Sequence, residues 1–175
     1  MDYEIRTLIP EEELIAGIRK TAEKINRDYQ GGSLRLICLL KGGVFFLTEL
    51  AKYIEVPVTV DFMSVSSYGA GTVSSGVVRI IKDLDDDIVG KDVLVVEDII
   101  DTGNTLSYVL EMLKGRNPAS LRLCTLLDKP ERRQKDVKID YEAFTVPDRF
   151  IVGFGLDYDQ KYRNLPYIGE IVFQN

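Results

Sequence analysis

The stretch that decides the fold reads Val-Leu-Val-Val-Glu-Asp-Ile-Ile-Asp-Thr-Gly-Asn-Thr-Leu over residues 93–106. Its β-branched apolar start is typical of a central strand in a parallel sheet, and such strands present ligand-binding residues at their carboxyl ends. Glu97 and Asp98 follow directly, and Asp101 comes shortly after them. The stretch therefore predicts a cluster of acids at one edge of a sheet.

A small polar turn follows the acids and contains Thr102, Gly103, Asn104 and Thr105. Hydroxyl groups, a glycine and the free N–H groups of a helix start together suit a phosphate. Either half of the pattern alone is also ordinary loop and capping chemistry. The two halves together, with Asp101 between them, favour a site in which a sugar or a metal ion lies between carboxylates and a phosphate.

The composition limits the number of domains, the class of ligand and the groups available for proton transfer. With 175 residues, of which 45% are hydrophobic, the chain is long enough for one sizeable α/β core and short for two domains. A formal net charge of −6 disfavours a nucleic-acid binder but allows a phosphorylated ligand if Mg²⁺ lies between it and the acids. The chain has no histidine, so carboxylates, lysines and tyrosines are left for proton transfer.

The cysteines and the hydropathy indicate the compartment. Cys38 and Cys124 lie inside apolar, strand-like runs, which predicts buried thiols rather than a disulfide or a metal site. No amino-terminal segment combines a basic start with an apolar stretch, and no apolar run reaches the length that spans a membrane. We therefore expect a soluble, cytoplasmic protein without a membrane partner.

Hydrophobic periodicity predicts an amphipathic helix over residues 11–29, ended by Gly31 and Gly32. Apolar strand patterns then alternate with helical patterns. The sequence predicts strands over residues 34–40, 56–65, 77–82, 93–96 and 121–127, and helices over residues 44–54 and 106–114. This alternation is typical of an α/β fold with a doubly wound, mostly parallel sheet.

We expect residues 1–175 to form a single domain. Its core is predicted at about residues 30–130, and a small cap is predicted from the amino-terminal residues and about residues 137–175. Residues 66–76 are small and polar, and they exceed the usual length of a hairpin loop. They predict a flexible lid loop, with a plain hairpin connection as the alternative.

Three further segments carry polar groups at predicted strand ends, and the residues alone leave the interpretation of each open. Lys41-Gly42-Gly43 suits a pyrophosphate but is also a common strand-to-helix connection. Lys129, before Pro130, either reaches a site or is a solvated turn lysine. Residues 150–157 form either a core strand or an aromatic stacking face that ends on an acid.

Taken in chain order, these segments resemble the type I phosphoribosyltransferases and, among them, the hypoxanthine-guanine phosphoribosyltransferases. The resemblance rests on the stretch at residues 93–106 and on Lys41-Gly42-Gly43, Ser67-Tyr68, Lys129, Phe150, Asp157 and Arg163, so it covers nearly the whole chain. It implies the fold of that family and transfer of a 5-phosphoribosyl group from phosphoribosyl pyrophosphate to N9 of hypoxanthine or guanine.

The resemblance also implies a role for each matched residue. Lys41 and Gly42 would contact the pyrophosphate, next to a cis Leu40–Lys41 peptide, and Arg163 would lie near them. Glu97 and Asp98 would bind ribose hydroxyls, Asp101 would be the general base or acid for the purine N7, and Thr102, Gly103, Asn104 and Thr105 would hold the 5′-phosphate. Lys129 would bond the 6-oxygen, Phe150 would stack on the purine, Ile151 would offer backbone contacts, and Ser67 and Tyr68 would close as a lid. Mg²⁺ would be bound by Asp157, Glu97 and Asp98.

The expected partners are phosphoribosyl pyrophosphate and a 6-oxopurine, and the expected assembly is a homodimer or homotetramer. The alternatives are an RNA-binding regulator on the same fold, a nucleotide-binding domain without chemistry, and a response-regulator receiver. The excess of acidic over basic residues disfavours an RNA-binding regulator. A receiver carries its acidic pair after its first strand, whereas here the pair lies at residues 97–98. The choice among hypoxanthine, guanine and xanthine stays open.

Overall fold

The computed structural model describes residues 2–67 and 78–174. The described elements, in chain order, are β1 (Tyr3–Ile9), α1 (Glu11–Asp28), β2 (Leu34–Leu39), α2 (Gly43–Ala51), β3 (Val58–Ser67), β4 (Val78–Lys82), β5 (Asp92–Ile100), α3 (Asn104–Lys114), β6 (Ser120–Asp128), a 3₁₀ turn (Pro130–Arg132), β7 (Tyr141–Thr145), β8 (Ile151–Val152) and β9 (Ile168–Phe173).

A six-stranded sheet with the order β4-β3-β2-β5-β6-β7 forms the centre of the molecule. The pairs β2–β3, β2–β5, β5–β6 and β6–β7 are parallel, and β4 pairs antiparallel with β3. The predicted α/β class with a mostly parallel sheet is confirmed. Because parallel strands share one carboxyl edge, the segments that follow β2, β5 and β6 meet there.

The two faces of the sheet are buried by different helices. Alternate residues of β5 point to opposite faces, so Leu94 packs with α1 and α2 while Val95 packs with α3. All six residues of β2 are buried. Burial of each such aliphatic side chain contributes about 1.5–3 kcal/mol, so the strands that lead to the carboxyl edge are held firmly.

Helix α1 confirms the predicted amphipathic helix. It begins after Pro10 with an acidic first turn and buries Leu14, Ile18 and Ile25. The negative charges of these acids interact favourably with the positive end of the helix dipole, which stabilises the start of the helix here. Gly31, with φ +78°, lets the chain turn after the helix.

A second sheet combines the two ends of the described chain. Strand β9 pairs antiparallel with both β1 and β8 in the order β1-β9-β8. The predicted boundary of the cap at about residue 137 is wrong, because Tyr141–Thr145 pairs in parallel with β6 and extends the central sheet. Tyr141 and Phe144 pack into the core beside α1, which holds β7 on that sheet.

Other element boundaries also differ from the predictions. Strand β5 continues past Val96 to Ile100, and its residues Glu97 and Ile100 still pair with Thr125 and Asp128 of β6. Strand β3 continues through Ser67, so the predicted loop does not begin at residue 66. Tyr68 and the rest of the predicted lid up to residue 76 lie outside the described residues.

The predicted state of the thiols is confirmed, since Cys38 and Cys124 are both free and buried. Burial raises the pKa of the Cys38 thiol to about 12, and the nearby carboxylates of Glu97 and Asp98 add to the rise. Within the described parts of the chain, we find no helix that is both long enough and apolar enough to cross a bilayer.

Candidate active site

The turn after β5 forms a cradle at the start of α3. Gly103 takes the left-handed conformation with φ +80°, and the helix begins at Asn104. The Asn104 N–H donates to Thr102 Oγ1 at 3.4 Å, and the N–H groups of a first helical turn have no partner within the helix itself. Helix ends of this kind attract anions, so the cradle suits a phosphate.

The segment after β6 packs against this cradle and forms hydrogen bonds with it. The backbone N–H groups of Gln134 and Lys135 donate to the Thr102 carbonyl at 2.9 Å and 3.1 Å. The Asn104 side chain donates to Gln134 Oε1 at 2.9 Å. A Cβ atom on Gly103 would lie 3.0 Å from the Lys135 carbonyl oxygen, and this tight approach together with the left-handed φ favours a glycine.

Glu97 and Asp98 lie beside the cradle in one cavity of about 290 Å³. The cavity is also lined by Leu39, Leu40, Gly42, Val65, Ile99, Ile100, Asp101, Thr102, Gly103, Asn104, Thr105 and Leu106. The predicted acids and the predicted phosphate-binding turn are therefore brought together. The cavity has the polar, acidic lining that a ribose phosphate with a bound cation would need.

The side chains of the two neighbouring acids accept hydrogen bonds from the backbone at the end of β5. Asp98 Oδ1 accepts a hydrogen bond from the Ile99 N–H at 2.7 Å, and Glu97 Oε1 accepts one from the Asp98 N–H at 3.1 Å. Burial and the adjacent charge of Asp98 raise the pKa of Glu97 well above its usual value. Two carboxylates this close favour a shared proton, a hydroxyl donor or a cation between them.

A second cavity of about 380 Å³ lies next to the first. It is lined by Ile99, Asp101, Lys129, Arg132, Asp148, Arg149, Phe150, Ile151, Leu156 and Asp157. Ile99 and Asp101 line both cavities. Groups bound in the two cavities would therefore meet at Asp101.

Lys129 is a buried residue of this second cavity and not a solvated turn lysine, since only 7% of it is exposed. Its Nζ donates to the Arg149 carbonyl at 2.7 Å and lies 3.7 Å from Asp148 Oδ1. An ammonium group has donors only, so a ligand atom facing it must be an acceptor.

Phe150 keeps 48% of its surface exposed although it lines the same cavity. Tyr158 and Phe173 contact it edge-on, with ring centroids 5.2 Å and 6.4 Å away. These contacts fix the orientation of the ring and leave part of it open to a planar ligand.

The segment around Asp157 and Arg163 meets the loop after β2. Arg163 pairs with Asp157 Oδ1 at 2.7 Å and donates to the Gly155 carbonyl at 2.7 Å. Gly155 packs so closely on the Gly42 backbone that no side chain fits there. The Leu40–Lys41 peptide is cis, as the resemblance implied, and Lys41 Nζ lies 3.5 Å from Gln160 Oε1.

Three polar residues at the site were not predicted from the sequence. Arg132 Nε lies 3.2 Å from Asp101 Oδ1, and Arg133 Nε donates to the Asp101 carbonyl at 3.1 Å. Gln160 contacts Lys41, Asp157 and Arg163. The pair of arginines soon after Lys129 was a usable signal, whereas nothing in the local sequence marks Gln160.

The three acids predicted for Mg²⁺ do not form one protein-only metal site. Within residues 2–67 and 78–174, no three side chains of the usual metal-binding types converge. Glu97 and Asp98 share the first cavity, whereas Asp157 lies in the second and pairs with Arg163. The donors still fit Mg²⁺, which commonly binds through one or two carboxylates together with phosphate oxygens and water.

The predicted lid residues are only partly described. The Ser67 backbone ends β3 opposite Val78 of β4, so it lies at the base of the hairpin. Tyr68 lies outside the described residues. A role for either residue in closing the site stays a prediction.

Comparison with known proteins points to one family. Residues 7–159 match the family described as the phosphoribosyl transferase domain. The chain is 50% identical to the hypoxanthine phosphoribosyltransferase of Buchnera aphidicola, over 99% of both chains. It is 51% identical to the hypoxanthine-guanine phosphoribosyltransferase of Streptococcus thermophilus, over 94% of this chain and 91% of the relative. A crystal structure of a hypoxanthine-guanine phosphoribosyltransferase from Bacillus anthracis matches with a TM-score of 0.91 at 44% identity, covering 98% of this chain and all of that one.

Proposed function

Because the chain belongs to the phosphoribosyl transferase domain family, we propose that it is a purine-salvage enzyme that transfers the 5-phosphoribosyl group of phosphoribosyl pyrophosphate to N9 of hypoxanthine or guanine. In this reaction the N9–C1′ bond forms and the bond from C1′ to the pyrophosphate oxygen breaks. The products are the nucleoside monophosphate IMP or GMP and pyrophosphate.

The observation that carries the proposal is the meeting of the two cavities at Ile99 and Asp101. The first cavity offers a phosphate cradle beside two acids, and the second offers an open aromatic ring beside a buried lysine. A ribose phosphate in the first cavity and a purine in the second would have their reacting atoms at this junction. Such positioning removes much of the entropic barrier to a reaction between two molecules.

Asp101 is the proposed catalytic residue. Hypoxanthine and guanine carry a proton on the imidazole ring that must leave as N9 attacks, and a carboxylate at the cavity junction is placed to accept it from N7. Arg132 Nε lies 3.2 Å from Asp101 Oδ1, so a cation lies directly beside the proposed proton acceptor.

Lys41 and Arg163 are the proposed cations for the departing pyrophosphate, and Gly42 provides close backbone approach beside them. Negative charge grows on the leaving oxygen while the ribose becomes cationic, so fixed positive groups at the leaving oxygen stabilise the transition state. Glu97 and Asp98 line the same cavity as Gly42 and would bind the ribose hydroxyls.

Mg²⁺ is the proposed cofactor, with Asp157, Glu97 and Asp98 as the residues that would hold it. When bound, it would neutralise charge on the pyrophosphate and so assist its departure. The raised pKa of Glu97 supports a cation here, because a positive charge would relieve the repulsion between Glu97 and Asp98.

Lys129 is the proposed reader of the base. Its ammonium can donate to the 6-oxygen of a 6-oxopurine but cannot accept from the 6-amino group of adenine. Phe150 would stack on the base, and Ile151 would offer backbone groups to its edge.

We also propose that the enzyme is cytoplasmic, binds no nucleic acid and assembles as a homodimer or homotetramer. The two free, buried thiols support a reducing compartment, and the net charge of −6 disfavours a polyanionic partner. The relatives reported above carry enzymatic names, which supports catalysis over RNA-binding regulation. Light scattering after size-exclusion chromatography would measure the assembly.

A spectrophotometric assay tests the function. The enzyme would be mixed with phosphoribosyl pyrophosphate and hypoxanthine, guanine, xanthine or adenine in turn, with Mg²⁺ and with a chelator. We expect turnover with hypoxanthine or guanine that requires Mg²⁺, and no turnover with adenine. Absence of turnover with every 6-oxopurine in a folded sample would overturn the proposal.

A further inference from the structure

Gln160 lies among the residues that we propose bind the leaving group. Its Oε1 is 3.5 Å from Lys41 Nζ and 3.4 Å from Arg163 Nη2, so both cations donate to the same oxygen. Its Nε2 donates to Asp157 Oδ2 at 3.4 Å. The carboxamide therefore turns its acceptor to the two cations and its donor to the acid.

The backbone of this turn is arranged to hold the side chain there. Gln160 has φ +63°, and its neighbours Asp159 and Tyr162 also have left-handed values of +51° and +77°. Such conformations are strained for residues other than glycine. They are held by the Gln160 N–H, which donates to Asp157 Oδ2 at 2.9 Å, and by a 2.5 Å bond between the hydroxyls of Tyr162 and Tyr3.

The contacts of Gln160 match those of a pyrophosphate oxygen in kind but not in strength. An amide oxygen is an uncharged acceptor, and all three side-chain distances are at the long end of the hydrogen-bond range. A pyrophosphate oxygen would make shorter, charge-assisted bonds to the same lysine and arginine. Exchange of the amide for the ligand is therefore favourable.

We propose that Gln160 is a positioning residue that acts as a neutral placeholder for pyrophosphate. In the free protein it holds Lys41 and Arg163 around one acceptor, and it yields both cations when the ligand arrives. The same displacement removes the Nε2 contact from Asp157. The inference rests on the proposed function, since it takes this place as the pyrophosphate subsite.

The proposal requires the Gln160 side chain to be uncharged. A carboxylate in the same place would bind Lys41 and Arg163 through charge-assisted bonds and would compete with the ligand. A shorter amide would not reach them and would leave the ligand without a competitor. The two substitutions Gln160→Glu and Gln160→Asn therefore have different expected effects on the same binding step, and asparagine tolerates the left-handed backbone.

The test is calorimetric titration of inorganic pyrophosphate in the presence of Mg²⁺ into the wild type and three variants. Lys161→Gln is the matched control, because it changes the net charge by the same amount as Gln160→Glu at the next residue, whose side chain is 67% exposed and pairs with Asp159. We expect Gln160→Glu to weaken pyrophosphate binding at least tenfold. Gln160→Asn and Lys161→Gln should bind within threefold of the wild type.

Steady-state kinetics give a second readout, in which Gln160→Glu should raise the KM for phosphoribosyl pyrophosphate far more than it lowers kcat. Thermal melts would establish that each variant is folded. The inference is overturned if Gln160→Glu binds pyrophosphate like the wild type, if Lys161→Gln is weakened as much, or if Gln160→Asn is weakened as much. Failure of the proposed function would instead appear as a folded wild type without turnover.

Discussion

Asp101 lies where the two cavities meet, with its carboxylate beside Arg132 and its backbone carbonyl held by Arg133. Arg133 also pairs with Asp128 at the end of β6, so the position of Asp101 depends on the neighbouring strand. A residue held this firmly at a junction is suited to proton transfer, since the acceptor has to lie within hydrogen-bond reach of the base.

Replacement of Asp101 by asparagine tests this role. Asparagine keeps the size of the side chain but cannot accept the N7 proton, so we expect kcat to fall ~100- to 10,000-fold. Binding of phosphoribosyl pyrophosphate, measured by calorimetry, should stay within threefold of the wild type. The control is Asp136→Asn, an exposed aspartate on the segment after β6, and equal turnover of the two variants would remove Asp101 from the mechanism.

Lys129 provides a test of base recognition. A hydrogen bond to a charged group contributes about 1.5–3 kcal/mol, so Lys129→Gln should lower kcat/KM for hypoxanthine ~10- to 100-fold. Because the glutamine amide can also accept from an amino group, discrimination against adenine should weaken. Competition assays with both bases measure this ratio. Lys138→Gln, whose side chain is 86% exposed, is the matched control, and unchanged discrimination in Lys129→Gln would move base recognition to another residue.

Residues close in sequence could be predicted as a site, whereas residues brought together by the fold could not. Glu97, Asp98 and the turn at residues 102–105 belong to one strand and its exit, so their shared cavity follows from the strand pattern. Gln160 reaches Lys41 only because the segment after β8 packs on the loop after β2. No local pattern specifies that contact.

At the scale of elements, the start of α3 depends on the geometry of Gly103. The residue combines a left-handed φ of +80° with a 3.0 Å approach to the Lys135 carbonyl. A side chain there would both strain the backbone and push the supporting segment away from the phosphate cradle. The first effect lowers stability, and the second should lower affinity for the substrate.

Gly90 allows the two effects to be separated. It has a φ of +68° with nothing within 4 Å of an added Cβ atom, so Gly90→Ala imposes strain alone. We expect both Gly103→Ala and Gly90→Ala to lose ~1–2 kcal/mol of stability, or ~2–8 °C in Tm. The KM for phosphoribosyl pyrophosphate should rise at least tenfold in Gly103→Ala only. A normal KM in that variant would show that the cradle tolerates a shifted support.

Local sequence patterns predicted α1 but did not predict which sheet contains β7. The periodicity of α1 was sufficient to predict it because a buried stripe with Leu14, Ile18 and Ile25 has one helical interpretation. The strand β7 was assigned to the cap because its short pattern does not reveal its partner. Its parallel pairing with β6 and the packing of Phe144 on α1 decide its place.

At the scale of the whole molecule, stability and function compete at the carboxyl edge. Burial and the charge of Asp98 raise the pKa of Glu97 in the folded protein above its value in the unfolded chain. Well below pH 4.5, the ordinary pKa of this carboxyl, Glu97 is protonated in both states and has no effect on the folding equilibrium. As the pH rises above that value, the unfolded chain releases its proton more readily than the folded protein, so stability falls.

Replacement of Glu97 by glutamine should therefore stabilise the free protein at neutral pH and weaken its proposed ligand binding. Removal of such repulsion commonly contributes about 1 kcal/mol, so we expect Tm to rise ~2–4 °C at pH 7.5, with a smaller gain near pH 4.5. Affinity for Mg²⁺ with phosphoribosyl pyrophosphate, measured by calorimetry, should fall at least tenfold. The control is Glu142→Gln at an exposed position of β7, which should change neither quantity. If the Tm of Glu97→Gln equals that of the wild type across this pH range, then Glu97 and Asp98 do not repel each other in the free protein. A bound cation or ribose would then have no repulsion to relieve.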